Sequence, residues 1–594
     1  MRHRLPLTLL FAAALCGAAA TIGHAQDTGK VLRIALPDIT SLDPQQLSDL
    51  YSRRVADAIF EGLYQFDYLA SPAKVIPNTA AALPAITDGG RTWTITLQRG
   101  IRFADDPVFK GSPRELVAED YVYAIKRSLD PNLKTGGDPA LTDLIEGARP
   151  VVDAARKNGR FDYDAPIAGL RATGTHTLRI GLTAVDYTMQ ERLAITNTYA
   201  VAREAVEAAG PDVLARPVGT GPFRLADWRR GSRVVLEANP GYRKIAFPAN
   251  ADPAHRALVA AMQGRRLPAL QRIEISIIEE QIPELLGFEQ GSLDYITLTG
   301  TIVGRLVENG KLRPDLAKRG VGTIRYPVPA LIFTYFNQDD PVVGGDAPAR
   351  IALRRAIAMG FNNDAFIRTF YGGYALPANQ MLPPGVSGHD PKLPARSLYD
   401  PPAARALLER FGYRDRDGDG FREAPDGSPL TLVQNSPPGA MEREGDTLWV
   451  ASMKEIGLRM TINNQSFGDL LKASKAGQLM MFNLGNRAGA PSGYTLLSLL
   501  WGKSPPDTNP SRFRNADYDA AYEKFLQTPD GPARVALARR MSDIVNAFVP
   551  FMIQVYPVGN AFTQPWLLGY HPSPFGFGWK YLDIDVAKKR AAGK

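Results

Sequence analysis

The sequence predicts a mixed α/β fold divided into several lobes, and three observations point to it. The chain has 594 residues, several times the length of a typical single domain. Segments with the alternation of strands and segments with helical spacing follow one another along the chain. The 54 Gly and 47 Pro favour many turns between short elements. Fibrous, disordered and all-helical bundle classes are therefore excluded.

The predicted elements of the first half begin with a strand and then a helix. Residues 31–36 alternate loosely as a strand, and residues 53–60 have helical spacing. Residues 92–97 alternate strictly, with Trp93, Ile95 and Leu97 on one face. The next predicted elements are a helix over 118–129, which Pro131 ends, and a strand over 177–182.

The second half continues with strands and then with mostly helices. The predicted strands are 233–237, 273–278 and 331–337. The predicted helices are 350–370, 403–411, 447–456 and 533–547. Alternating aromatic residues favour core packing, with the lining of a cleft as the alternative; they are Phe333, Tyr335, Phe336, Phe575, Phe577 and Trp579.

The first 25 residues have the three parts of a secretory signal. Arg2 and Arg4 form the basic start, an apolar run follows, and small residues precede Gln26, where we expect the mature chain to begin. A membrane anchor is the alternative, but the apolar run falls short of the ~20 residues needed to cross a bilayer. We therefore expect export to the periplasm.

The single cysteine of the chain lies inside this segment. Cys16 follows Leu15, whereas a lipoprotein site needs a small residue there, so lipidation is not expected. Cleavage would leave no cysteine and hence no disulfide, which suits an oxidising compartment.

The charge balance argues against a nucleic-acid partner. The formal net charge is +8, falling to +6 without Arg2 and Arg4, and it is spread along the chain. The dense basic cluster near the C-terminus is interpreted as a solvated tail; it comprises Lys588, Lys589, Arg590 and Lys594.

Motifs for catalysis or nucleotide binding are missing. The histidines after the signal lack zinc spacing; they are His176, His255, His389 and His571. Gly219-Thr220-Gly221 lacks the third glycine of a dinucleotide fingerprint, and there is no Gly-x-Ser-x-Gly elbow. We therefore do not expect an enzyme.

One acidic loop has the spacing of a calcium site. Asp415, Asp417 and Asp419 are followed by Gly420, and Glu423 and Asp426 complete positions 9 and 12. A tight Asp/Gly turn between strands explains the same residues, so both interpretations stay open. Beyond a structural calcium ion here, no cofactor is expected.

Several motifs in order resemble the bacterial extracellular solute-binding proteins of family 5, which feed peptides to ABC importers. The resemblance covers nearly the whole mature chain, and the ordered set is more specific than any one member. It runs through Ser41-Leu42-Asp43-Pro44, Ile59-Phe60-Glu61-Gly62-Leu63, residues 88–97, Gly100-Ile101-Arg102-Phe103, Gly219-Thr220-Gly221-Pro222-Phe223, residues 236–242 and the helix after Arg350.

The resemblance implies a two-lobed type II periplasmic-binding-protein clamp, similar to cluster C, with an accessory domain in the first lobe. The implied crossings between lobes lie near residues 326–337 and 554–562. The implied divisions are a signal peptide (1–25), lobe I (26–61, 185–330 and 557–594), the accessory domain (62–184) and lobe II (331–556).

The resemblance also implies the binding residues of a periplasmic receptor that encloses a peptide or peptide-like solute. Main-chain contacts are expected from Ser48, Asp49, Leu50 and Tyr51 in lobe I and from residues 484–487 in lobe II. The expected set in lobe II includes Gly485, Asn486, Arg487 and Tyr494. The implied partners are the solute and the permease subunits of the inner membrane, and we expect a monomer.

The sequence departs from the family pattern at the second of these segments. Peptide binders of this family usually have Trp after the glycine and an Asp shortly beyond, which pairs with the peptide amine. Here residues 485–494 contain no acid, and Asn362-Asn363 replaces an Asp-Arg pair. We hypothesise that Arg487 faces the cleft and favours an anionic or amine-blocked ligand, with a solvated loop arginine as the alternative.

Two further interpretations remain open. The ligand could be a non-peptide solute such as haem, an opine-like conjugate or a metal chelate; His389 and His571 are the candidates for an axial haem ligand. The second interpretation is a periplasmic peptide hydrolase or folding helper with the same two-lobed fold. The missing nucleophile motifs argue against the hydrolase.

Overall fold

The computed structural model describes residues 29–47, 49–134, 137–249, 252–394, 399–576 and 578–594. The expected signal segment with Cys16 lies outside these residues, as do Ser48 and Phe577. Among the helices that are described, none combines the length and apolarity needed to cross a bilayer.

The strands are, in chain order, β1 (Val31–Leu36), β2 (Tyr64–Phe66), β3 (Val75–Pro77), β4 (Ala85–Thr87), β5 (Thr92–Thr96), β6 (Leu170–Gly174), β7 (Thr177–Gly181), β8 (Phe223–Arg229), β9 (Arg233–Ala238), β10 (Ile245–Ala246), β11 (Arg266–Leu267), β12 (Arg272–Ile277), β13 (Tyr295–Leu298), β14 (Val307–Glu308), β15 (Lys311–Leu312), β16 (Gly322–Pro327), β17 (Ala330–Phe336), β18 (Ala375–Pro377), β19 (Thr431–Ser436), β20 (Arg459–Asn464), β21 (Met481–Arg487), β22 (Phe551–Thr563), β23 (Leu567–Leu568) and β24 (Asp583–Ile584).

The α-helices are, in chain order, α1 (Leu50–Ile59), α2 (Ala118–Leu129), α3 (Pro139–Leu144), α4 (Ala148–Asn158), α5 (Met189–Arg192), α6 (Arg203–Ala209), α7 (Arg256–Met262), α8 (Gln281–Glu289), α9 (Pro314–Lys318), α10 (Pro348–Gly360), α11 (Asn363–Tyr371), α12 (Pro401–Arg410), α13 (Ala440–Glu455), α14 (Phe467–Lys475), α15 (Tyr494–Leu497), α16 (Ala516–Leu526), α17 (Pro532–Phe548) and α18 (Val586–Ala591).

The predicted elements are present, with one helix divided in two. The predicted helix over 350–370 is wrong as a single element, because the chain is extended at Phe361 and the Asn362 side chain then caps a new helix, accepting from the Ala365 N–H at 2.9 Å. Helix α13 begins at Ala440, seven residues before the prediction.

The first lobe is built on a four-stranded sheet in the order β1-β12-β9-β8. Strand β1 is parallel to β12, and the remaining pairs are antiparallel. Helix α1 packs on this sheet through Val55, Ala56 and Ile59, which alternate at helical spacing and are almost fully buried.

A second sheet, in the order β4-β5-β7-β6, forms the accessory part of the first lobe. Its core contains the predicted face of Trp93, Ile95 and Leu97, packed against α2. The same core extends beyond residue 184 as far as Ala205, so residues 185–205 are packed against the accessory sheet as well as the first lobe.

The second lobe contains the sheet β17-β21-β19-β20, with apolar clusters on its two faces. One cluster includes Leu331 and Phe333 with α16 and α17, and the other includes Phe336 with α10 and α13. Near-continuous burial along β17 follows from this two-sided packing.

Two long segments run side by side between the lobes. Strand β22 pairs with β17 and β18 through its first half and with β13 and β16 through its second half. Strands β16 and β17 are separated by Val328 and Pro329 only, so both segments continue from one lobe into the other. These are the regions in which the family resemblance implies the crossings.

The basic C-terminal cluster is only in part the solvated tail that was predicted. Lys589 is buried, and its ammonium donates to an Asp294 carboxylate oxygen at 2.7 Å and to the Val31 carbonyl at 3.3 Å. Lys588 and Arg590 are exposed. Helix α18 therefore ties the C-terminus to the first strand of the first lobe.

Candidate functional site

A cavity of about 410 Å³ lies between the first lobe and the end of β21 in the second lobe. Its volume is within the ~300–1,000 Å³ range of small-molecule sites. Its wall combines small and apolar residues with aromatic and charged side chains; the aromatic and charged ones are Tyr51, Tyr68, Tyr295, Tyr326, Tyr570, His571, Trp579, Arg54, Glu279, Glu284 and Arg487.

The start of α1 brings three side chains to this wall. The Asp49 carboxylate caps the helix by accepting from the Ser52 N–H at 2.7 Å and from the Ser52 hydroxyl at 2.6 Å. Leu50, Tyr51 and Arg54 line the cavity, because residues at positions i and i+4 lie on the same face of a helix. By fixing the start of α1, the cap sets the backbone position from which the Arg54 side chain reaches the cavity.

Arg54 is held by two aromatic residues of the wall. Its Nη2 donates to the Tyr295 hydroxyl at 3.0 Å, and its guanidinium carbon lies 5.6 Å from the Trp579 ring centroid. Trp579 Nε1 donates to the same hydroxyl at 2.8 Å. Cation–π attraction and these hydrogen bonds orient the guanidinium at the cavity wall.

Arg487 approaches the cavity from the second lobe. It ends β21, where it pairs with Ala330, and its Nη2 donates to the Pro574 carbonyl at 2.8 Å. The side chain is exposed to the cavity solvent but enclosed by the facing walls, and this burial, together with the charge of Arg54, lowers the pKa of Arg487. Two like charges from opposite lobes therefore face one cavity, and an anion between them would relieve their repulsion.

Strand β21 also offers main-chain groups. Its antiparallel pairing with β17 runs through Arg487, whereas parallel pairing with β19 covers only Met481 and Phe482. In the described chain, the β19 side of Gly485 and Asn486 thus has no strand partner. An extended ligand can hydrogen-bond to such an edge.

A smaller cavity of about 50 Å³ adjoins the first and shares Tyr68, Ser573, Gly576 and Gly578 with it. Lys580 reaches this second space, where its ammonium donates to Gln65 Oε1 at 2.6 Å, and burial lowers the pKa of Lys580 to about 8.

The structure separates Tyr494 from the other predicted binding residues. Its ring is buried beneath the Arg192 guanidinium, whose carbon is 4.3 Å from the ring centroid, and it does not line the cavity. Leu50, Tyr51 and Arg487 line the cavity, Asp49 caps α1, and Gly485 and Asn486 lie on β21. Ser48 lies outside the described residues.

Next to Tyr494, the two lobes are joined through Glu191. The Ser492 hydroxyl and N–H donate to the two oxygens of the Glu191 carboxylate at 2.6 and 3.1 Å. Burial raises the pKa of Glu191 to about 7. This contact and the Arg487–Pro574 hydrogen bond lie between the lobes, so the structure has the lobes in contact around the cavity.

The predicted calcium loop forms a cluster of carboxylates that does not line the cavity. One oxygen each of Asp415, Asp417, Asp419 and Glu423 lies within 4.8 Å of the others. Asp415 accepts from the N–H groups of Gly418 at 2.7 Å and Gly420 at 3.0 Å, Asp419 pairs with Arg459, and Asp426 accepts from Ser428 instead of joining the cluster. The loop is closed by its own hydrogen bonds.

Sequence reasoning missed most of the wall. Arg54 could have been found from helical spacing, since it lies one turn after Leu50. Trp579 is one of the alternating aromatic residues for which the sequence left cleft lining open, and it does line the cavity. Tyr295, Glu284 and Tyr570 have no local signal, because separate parts of the chain bring them together.

Comparison with known proteins gives consistent results. The family of bacterial extracellular solute-binding proteins, family 5, middle region, matches residues 74–507. A di/tripeptide-binding protein of Pseudomonas aeruginosa is 26% identical over 534 residues, covering 86% of this chain and 89% of the relative. A heme-binding protein of Haemophilus influenzae is 24% identical, covering 84% of this chain and 82% of the relative.

The fold is shared with solved structures. An ABC transporter-associated periplasmic binding protein from Helicobacter pylori, in complex with the peptide STSA, superposes with a TM-score of 0.69 at 18% identity. The match covers 94% of this chain and 99% of that chain. The two-lobed type II fold implied by the sequence is thereby confirmed.

Proposed function

The chain belongs to the bacterial extracellular solute-binding proteins of family 5, and on that premise we propose that it encloses a peptide or peptide-like solute between its lobes and delivers it to an ABC permease. The observation that carries the proposal is the cavity between the lobes, whose wall combines polar, charged and aromatic side chains. The similarity to a di/tripeptide-binding protein supports the ligand class.

The mode of binding follows from the two lobes. The free side of Gly485 and Asn486 would hydrogen-bond to ligand main chain, which does not depend on side-chain identity. Ligand contacts to both lobes favour the closed arrangement, because a ligand shifts the equilibrium by its differential affinity for the two states. The protein would bind its solute stoichiometrically, without turnover, as a periplasmic monomer processed near Gln26.

The test is native and denaturing mass spectrometry of the gently purified mature protein. Short peptides released on unfolding would support the proposal, and peptides added back to the stripped protein should bind with one-to-one stoichiometry. A single recurring non-peptide mass, with no binding of added peptides, would contradict the peptide reading.

Arg487 is expected to bind an anionic group of the ligand together with Arg54. We predict that Arg487→Ala weakens binding of the released ligand by roughly 10- to 100-fold in isothermal titration, because a charge-assisted hydrogen bond is lost. Arg540→Ala, which removes an exposed arginine of α17, is the matched control. Unchanged affinity in Arg487→Ala would show that the Arg487 guanidinium does not bind the ligand.

Haem is the second candidate ligand, because a heme-binding relative exists and His571 lines the cavity. Burial lowers the pKa of His571 to about 4, so its imidazole is neutral at pH 7 and able to bind iron. His389 does not line the cavity, and its Nδ1 lies 2.9 Å from both Gln380 Nε2 and the Leu382 carbonyl oxygen. A Soret shift on adding haemin that is lost in His571→Ala would favour this candidate over a peptide.

A further inference from the structure

Glu284 is a half-buried acid at the cavity wall without a partner of its own. Its neighbours on α8, Leu285 and Phe288, are buried against Ile296 and Leu298 of β13, which fixes the helix beside the cavity. In the part of the chain that the structure describes, the Glu284 carboxylate makes no hydrogen bond and no ion pair. Its acceptor capacity is therefore available to a ligand.

The environment of Glu284 is costly for a bare carboxylate. Burial raises the pKa of Glu284 to about 7, and the positive charge of Arg54 opposes only part of this effect. A buried carboxylate is stabilised when a cation or hydrogen-bond donor replaces the lost water. A ligand cation in the cavity would supply that donor.

The other acids of the two cavities are already used or hydrated. Glu61 accepts from Thr220 and Tyr242 and pairs with Arg243 at 2.6 Å, and Asp57 accepts from the Tyr199 hydroxyl at 2.6 Å. Glu279 is exposed to solvent. Of these acids, Glu284 is the one that is both withdrawn from water and unpaired in the described residues.

We propose that Glu284 binds the cationic group of the ligand, while Arg54 and Arg487 bind its anionic group, so that the cleft selects a zwitterion such as a peptide with a free amine. The proposal rests on the proposed function and names the ligand chemistry of the same cavity. Residues 485–494 of the second lobe contain no acid to pair with a ligand amine, and Glu284 would supply that negative charge from the first lobe. The amine-blocked ligand considered from the sequence would leave Glu284 unpaired.

The test compares free-amine peptides with their N-acetylated counterparts. A library of di- and tripeptides in both forms is screened against the stripped protein, and the tightest free-amine binder and its acetylated form are titrated by calorimetry. For the wild type we expect a preference of roughly 10- to 100-fold for the free amine. Glu284→Gln should reduce this preference to about threefold or less.

Glu280→Gln is the matched control, because it neutralises an exposed acid at the start of the same helix that does not line the cavity. It should keep the wild-type preference. Thermal unfolding of each variant verifies that it is folded.

Each outcome decides a different claim. A wild-type preference that persists in Glu284→Gln, or equal binding of both peptide forms by the wild type, overturns the inference and leaves the proposed function intact. Failure of the wild type to bind any library peptide overturns the proposed function itself and the inference with it.

A measurement on the wild type alone provides a second test. Lowering the pH from 7.5 to 5.5 protonates Glu284, while His571 stays neutral. The charged fraction of the α-amine rises over the same change, since its ordinary pKa is about 7.7–8.0, so the amine itself cannot weaken the preference. The preference for the free amine should therefore fall at pH 5.5, and a pH-independent preference contradicts the inference.

Discussion

Glu191 is a buried acid at a contact between the two lobes. It lies in α5, and its carboxylate accepts two hydrogen bonds from Ser492, which is 301 positions away in sequence. Burial is the main cause of its raised pKa, and these hydrogen bonds oppose it. The folded protein therefore holds this proton more tightly than the unfolded chain does between pH 4.5 and about 7.

The sign of the pH dependence follows from that difference. The contribution of Glu191 to the free energy of unfolding is complete below pH 4.5 and is lost as the pH rises through about 7. We expect Glu191→Gln to reduce the fall in apparent Tm between pH 5 and 7.5, because its amide does not titrate. Glu444→Gln, at an exposed acid of α13, should keep the wild-type slope. An unchanged slope in Glu191→Gln would contradict the assignment.

At the scale of an element, the loop from Asp415 to Glu423 is a turn stabilised by hydrogen bonds within the loop and by one ion pair. Asp415 accepts from two N–H groups, Arg416 N–H donates to Glu423 at 2.8 Å, and Arg459 pairs with Asp419. These bonds use oxygens that a calcium ion would need. The hairpin-turn interpretation explains the geometry without an ion.

We therefore predict that calcium does not stabilise this element. Apparent Tm should be the same within about 1 °C in millimolar EDTA and in millimolar calcium. An ion that bound only to the folded state would instead raise the Tm as its concentration increased. Magnesium at the same concentration controls for ionic strength. A calcium-specific rise that disappears in Asp417→Asn would contradict the prediction and establish a structural site.

For the whole molecule, the important feature is that two continuous segments join the lobes while other contacts close the space between them. Strands β16–β17 and β22 cross in antiparallel register, with Tyr326 opposite Gly559. A side chain at Gly559 would meet the Tyr326 ring at 2.6 Å, so only glycine allows this close approach. Rotation about such strands, with contacts such as Arg487 to Pro574 made or broken, is the expected motion.

This arrangement predicts a change in shape on binding. Small-angle scattering should give a smaller radius of gyration for the peptide-saturated protein than for the stripped protein, because ligand contacts to both lobes favour closure. The protein stripped by unfolding and refolding, measured in buffer alone, is the control. Identical scattering curves with and without saturating peptide would contradict closure by the ligand.

The sequence by itself determined the local elements and the family. Strict alternation over residues 92–97 and helical spacing over Ala118–Leu129 depend on neighbours in the chain, so β5 and α2 lie where they were predicted. Helical spacing in the same way places Leu50, Tyr51 and Arg54 on one face of α1. The motifs, taken in their order along the chain, were enough to identify the solute-binding family.

The tertiary structure alone decided which of these residues meet. The partnerless carboxylate of Glu284, the burial of Tyr494 under Arg192 and the bond from Ser492 to Glu191 join segments that are far apart in sequence. Local propensity has no information about such contacts, because burial and charge environment depend on the packing of whole lobes. The sequence singled out Arg487, and the fold places Arg54 and Glu284 at the wall of the same cavity.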